Sequence, residues 1–106
     1  MRNELSVAKE VLSYAANNDN KLPKDQLPII TEMYDASKNK LASILKPKQL
    51  IIIQKAYAQI KQTSLPLKSG NTLMRGYLEL IGDKVVYQHD LKNEITVLEQ
   101  AIAELD

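Results

Sequence analysis

In Asp90-Leu91-Lys92-Asn93-Glu94-Ile95-Thr96-Val97-Leu98-Glu99-Gln100-Ala101-Ile102-Ala103-Glu104-Leu105, large apolar residues fall at 91, 95, 98, 102 and 105. Steps of four, three, four and three build the seam of a helix packed nearly parallel or antiparallel to its neighbours. Burying five such side chains contributes on the order of 8 to 15 kcal/mol gross before entropy. Two heptads are too few for an independent coiled coil, so the seam must find its partners in the rest of this chain. Asp90 stands where a side-chain cap for the helix belongs.

Working outward, the same spacing recurs. A first helix is expected from about Asn3 to Asn17, with Leu5, Ala8, Leu12 and Ala15 on one stripe and Asn3 as N-cap. Asn17-Asn18-Asp19-Asn20 then breaks it, because Asn and Asp bond to their own backbone. No Glu stands twelve residues on from a first ligand, so this run reads as a turn rather than a calcium loop. A second helix is expected from about Lys24 or Asp25, with Pro28 in its first turn and Ile30, Met33, Tyr34, Ser37, Leu41 and Ile44 inward. Pro47 ends that pattern and starts a third helix to about Thr63, with Leu50, Ile53, Tyr57 and Ile60 on one face. Ile51 and Ile52 flank Lys48 and Lys55 on its other side, so this helix is either packed on two sides or carries an apolar interface beside its lysines.

Leu65-Pro66-Leu67-Lys68-Ser69-Gly70 reads as the longest loop. Asn71 or Thr72 would cap a fourth helix bearing Leu73, Met74, Tyr77, Leu78 and Ile81, weakened at Gly82-Asp83 and broken again at Tyr87 to Asp90. The expectation is a single all-α domain over residues 1 to 106, of four helices or five if the last helical segment splits in two.

Charge is distributed unevenly. From Ala36 to Leu78 there is no acidic residue, while Lys38, Lys40, Lys46, Lys48, Lys55, Lys61, Lys68 and Arg75 give +8; residues 1 to 35 carry −2 and residues 79 to 106 carry −5, leaving +1 in all. A positive region of this kind attracts an anionic membrane surface, nucleic acid, an acidic partner or the chain's own acidic end. Lys46, Lys48, Lys55, Lys61 and Lys68 are the candidate partner- or membrane-facing patch, and Ile51 with Ile52 the candidate apolar interface. The basic residues are nearly all lysine and spread over two helices and two loops, which disfavours base reading by one recognition helix.

Reactive chemistry is sparse. With no cysteine, disulfides and thiolate sites are ruled out. His89 is the sole histidine; beside Asp90 and Glu94 it reads as a solvated or capping residue, because a catalytic metal site usually needs three protein ligands. Ser69-Gly70-Asn71-Thr72 lacks the lysine and extra glycines of a phosphate loop and reads as a plain cap. No catalytic residue, cofactor or metal is expected. The longest strongly apolar run, Leu50 to Ile53, is far below the ~20 residues a membrane span requires, and the start resembles no secretory signal, so the cytoplasm is the expected location.

Lys21-Leu22-Pro23-Lys24 leading into the segment with Ile30 and Tyr34, and Ile60 through Leu67 ahead of the next helix, carry a resemblance. In these segments, and in size, lack of cysteine, lysine content and helix order, the chain resembles the immunity proteins of pediocin-like (class IIa) bacteriocins, of the enterocin A immunity type. The resemblance implies an antiparallel four-helix bundle in the cytosol of a lactic acid bacterium, non-enzymatic and monomeric. It also implies action at the inner face of the membrane, on the mannose phosphotransferase permease engaged by the bacteriocin, where the pore is blocked. Specificity would lie in the C-terminal half. The alternatives are a small regulatory or nucleic-acid-associated helical protein using the same basic face, and a homo-oligomerisation module using Ile51 and Ile52.

Overall fold

The computed structural model of the chain describes the backbone of residues 1–26, 29–69 and 78–105, and the side chains of these residues apart from 64–69 and 78–80. Four α-helices dominate the described residues: α1 (Arg2–Ala16), α2 (Glu32–Ile44), α3 (Pro47–Ser69) and α4 (Lys92–Leu105). A three-stranded antiparallel sheet, β1 (Lys21–Pro23), β2 (Leu78–Ile81) and β3 (Lys84–Tyr87), accompanies them in the order β1-β3-β2. The protein is thus mostly helical with a small sheet, where a purely helical chain was expected.

Among the described residues the core joins the four helices with β1 and β3. Leu5, Ala8, Leu12 and Ala15 of α1 meet Ile53, Ala56, Tyr57 and Ile60 of α3 and Leu98 and Ala101 of α4, with Leu22, Val85 and Tyr87 added from the sheet. α4 packs against both α1 and α3. Leu91 and Leu98 are fully buried while Ile95, Ile102 and Leu105 pack against the cluster's edge, so the seam read from the sequence is the one that folds inward. Asp90 Oδ1 accepts the Lys92 N–H at 2.9 Å, one of the donors left open at the start of α4.

Four expectations are corrected. The helix foreseen to carry Leu78 and Ile81 is replaced, over its described part, by strand β2, and Gly82-Asp83 is a two-residue hairpin loop. Positive φ is confined there to Gly82, at 62°, the pattern of a type II′ turn, which matches the twist of the flanking strands. Val85 and Tyr87 alternate inward with period two, and Val85 pairs with Leu22 on one side and Leu80 on the other. The foreseen cap at Asn71 or Thr72, the residues Leu73, Met74 and Tyr77, and Arg75 lie outside the described residues.

The second correction concerns α2, which begins at Glu32 with Thr31 as N-cap rather than near Lys24; Lys24–Gln26 form a short 3₁₀ turn instead. Only Tyr34 and Leu41 of α2 are buried, so Ile30, Met33 and Ile44 do not face inward. Third, α3 continues past Thr63 to Ser69, through Pro66, where a loop from Leu65 was expected. At the amino end α1 starts at Arg2, with Met1 and not Asn3 at the N-cap.

Asn17–Asn20 is a turn, as read from the sequence. Asp19 and Asn20 both take φ of 59°, a left-handed conformation that Asn and Asp tolerate better than other side-chain-bearing residues. Asn20 is fastened by its Nδ2, which donates to the His89 carbonyl at 3.1 Å, and by its own carbonyl, which accepts the Tyr87 N–H at 2.8 Å.

Candidate functional site

The candidate lysines divide into separate environments. Lys46, in the connection between α2 and α3, and Lys48 and Lys55, on α3, are exposed, and among the described residues none of the three forms an ion pair. Lys61 is different. Its Nζ lies 2.6 Å from Asp35 Oδ1 and 5.7 Å from the centre of the Tyr34 ring, so its charge is committed within the protein. Lys68 lies within α3, and its side chain is outside the described residues.

The apolar pair also divides. Ile51 is exposed, but Ile52 packs against the core, which leaves Ile51 alone as a surface residue. In place of Ile52 the structure exposes residues that spacing alone had placed inside. Ile30, Met33 and Ile44 are 64, 60 and 71% exposed, beside Ile51 at 65%. All four belong to α2, its approach or the first turns of α3, interspersed with the exposed Lys38, Lys40, Lys46 and Lys48. The other exposed large apolar residues among the described ones, Val7, Tyr14 and Ile81, lie on α1 and at the hairpin, and single residues of that kind are ordinary. The candidate site is therefore a mixed lysine and aliphatic surface, not a lysine patch with a separate apolar spot.

A buried polar cluster holds α2 in place behind this surface. Glu4 of α1, 8% exposed, accepts the N–H groups of Met33 at 2.8 Å and Tyr34 at 3.2 Å, the donors left open at the start of any helix. The Tyr57 hydroxyl donates to Glu4 Oε1 at 2.8 Å, and the Met1 carbonyl oxygen lies 3.2 Å from the same hydroxyl. Burial of the ring, and then the Glu4 carboxylate beside it, push the Tyr57 ionisation well above the ordinary phenol range. Tyr34 stacks on Tyr57 with centroids 4.0 Å apart and planes 10° from parallel. Asp35 accepts from Lys61 and, at 2.9 Å, from the Thr31 hydroxyl; these bonds, the Lys61 one foremost, hold its carboxyl below the usual carboxylate range.

Sequence reasoning missed this cluster, although a signal existed: Glu4 stands one turn before Ala8 and two before Leu12, on the edge of the stripe that buries. An acid there needs donors from another element. Glu94 repeats the pattern on α4, where its Oε1 lies 3.1 Å from His89 Nε2 while its buried Oε2 has no hydrogen-bond partner among the described residues. The two form a pair, and among the described residues no group of three or more His, Cys, Asp or Glu side chains is placed to hold a metal ion.

No helix among the described residues is long and apolar enough to cross a membrane. Comparison of the chain with protein-family models, with curated proteins and with solved structures finds no match.

Proposed function

We propose that this chain is a bacteriocin immunity protein: a non-enzymatic cytoplasmic protein that binds at the inner face of the membrane to the bacteriocin-receptor complex and keeps its pore closed. The receptor implied by the resemblance is the mannose phosphotransferase permease carrying a pediocin-like peptide. The antiparallel four-helix bundle of that family is part of the proposal, with the small sheet as an addition particular to this chain.

One observation carries the reading: a surface of outward aliphatic side chains and of lysines without an ion pair among the described residues, on α2 and the start of α3, behind which a buried carboxylate fixes the helix. Exposed apolar side chains gathered in one region and rimmed by polar ones mark a contact site for a partner or a membrane. Beside an anionic inner leaflet each near-surface lysine contributes about 1 kcal/mol. In this reading the C-terminal half, with the hairpin and α4, discriminates the bacteriocin while the α2–α3 side faces the membrane.

Expression in a strain sensitive to pediocin-like peptides tests the proposal, with growth inhibition scored across a broad panel. Raised resistance to one or a few related peptides is expected. Unchanged sensitivity across the panel would overturn it, and salt-sensitive retention on DNA or RNA would then favour the nucleic-acid reading.

A further inference from the structure

We infer that the outward stripe of α2, with the turn into α3, is a docking face for an anionic phospholipid surface. Met33, Ser37, Lys40 and Ile44 follow one another at steps of four, three and four, so they share one side of α2, next to the side that buries Tyr34 and Leu41. Ile30 precedes this stripe and Ile51 follows it on α3. Lys40, Lys46 and Lys48 are exposed, and among the described residues they form no ion pair.

The neighbouring carboxylates leave that charge in place. Glu32 and Asp35 are confined to the first turn of α2, and Asp35 is engaged by Lys61 and Thr31. Glu104 approaches the start of α3 from α4, where its backbone carbonyl accepts Gln49 Nε2 at 3.3 Å; its half-buried side chain makes no ion pair with these lysines among the described residues.

Lipid fits this pattern better than the other occupants. Aliphatic side chains enter the headgroup boundary while lysines extend to the phosphates, so both halves of the stripe gain. A nucleic-acid backbone would satisfy the lysines and leave Met33 and Ile44 in water. A second copy on a two-fold axis would oppose lysine to lysine. The inference rests on the membrane-side reading for its cellular setting. Its test uses lipid alone, so failure of receptor recognition and failure of lipid docking can be told apart.

The experiment is co-sedimentation of the full chain with vesicles of phosphatidylcholine alone or mixed with phosphatidylglycerol. Binding is expected to the mixed vesicles only, to weaken with salt, and to fall at least about tenfold in Lys40→Glu/Lys46→Glu/Lys48→Glu, given about fivefold per near-surface lysine. Met33→Ser/Ile44→Ser should lose the binding that survives high salt. Lys21→Glu/Lys84→Glu/Lys92→Glu carries the same net charge and should keep most of its binding. All these positions are exposed, and circular dichroism checks that each variant folds. Equal partition into both vesicle types, equal loss in the two lysine sets, or a dimer that ignores vesicles would each overturn the inference.

Discussion

Glu4 Oε2 accepts the Met33 N–H at 2.8 Å, so a carboxylate from α1 closes the amino end of α2 across 29 positions of sequence. Thr31, the N-cap of α2, makes no side-chain capping bond there, and its hydroxyl turns instead to Asp35. An ordinary cap is local; this one is tertiary, and it couples the formation of α2 to the docking of α1. With only Tyr34 and Leu41 of α2 buried, this bond and the Tyr34–Tyr57 stack hold the helix whose outer side is the candidate docking surface.

Glu4→Ala should therefore destabilise the protein by about 2 to 3 kcal/mol, because two helix N–H groups and the Tyr57 hydroxyl lose their acceptor. Urea unfolding measures the total, and amide exchange at Met33 and Tyr34 should accelerate more than exchange in α4. Glu4→Gln keeps one acceptor oxygen and should lose less. A cost for Glu4→Ala within about 0.5 kcal/mol, the range of an ordinary surface substitution, would contradict the capping role.

Tyr57 predicts an alkaline loss of stability. Its ionisation is raised in the folded protein above the value of 10.0 it has when solvated, so folding favours the protonated phenol. That contribution is complete below pH 10 and is lost as pH rises further, at about 1.4 kcal/mol per pH unit for one group. Tyr57→Phe should be less stable at neutral pH, through loss of the Glu4 bond, yet fall less steeply above pH 10. Parallel stability curves for the two proteins over that range would contradict the assignment.

Asp35 predicts a smaller effect at the acid end. Its ionisation is lowered from the ordinary 3.8, so the ion pair with Lys61 and the Thr31 bond contribute stability that is present above that pH and disappears as the carboxylate is protonated below it. Exposure of both partners keeps the magnitude small. Asp35→Asn should flatten the difference between pH 5 and pH 3 seen in the parent protein. An unchanged acid profile in that variant would remove Asp35 from the account.

Gly82 tests the hairpin. A Cβ at this position would meet nothing within 4 Å, so Gly82→Ala introduces no clash and acts through the backbone at φ of 62° alone. A loss of about 1 kcal/mol is expected in thermal or urea unfolding. No loss would show that the positive φ is not needed to close β2 on β3.

Much of the helical fold was legible because three stripes each found a partner. Leu5 to Ala15, Ile53 to Ile60 and Leu91 to Leu105 each carry apolar residues at helical spacing, and those faces do meet. The same rule failed on α2, since a spacing of three and four identifies a side of a helix without saying whether another element covers it. Met33 and Ile44 obey the period as well as Tyr34 and Leu41 do, and only the second pair is covered. The hairpin was missed because Leu78 and Ile81 fit one helical turn, while the deciding signal was the two-residue Gly82-Asp83 loop before the alternation of Val85 and Tyr87. In the candidate site, spacing left Ile51 and Ile52 open between a second packed side and an interface, while Lys46, Lys48 and Lys55 were legible as surface from charge and wheel position. The capture of Lys61 by Asp35 and the inward packing of Ile52 were not, because both depend on contacts between residues distant in sequence.

Ion leakage reads closure of the pore itself. Sensitive cells expressing the protein are treated with the pediocin-like peptide, and potassium efflux is followed. Under the proposed function such cells bind the peptide yet retain their potassium, and Lys40→Glu/Lys46→Glu/Lys48→Glu restores the leak. Efflux as fast as in cells lacking the protein, for every peptide tried, would contradict it.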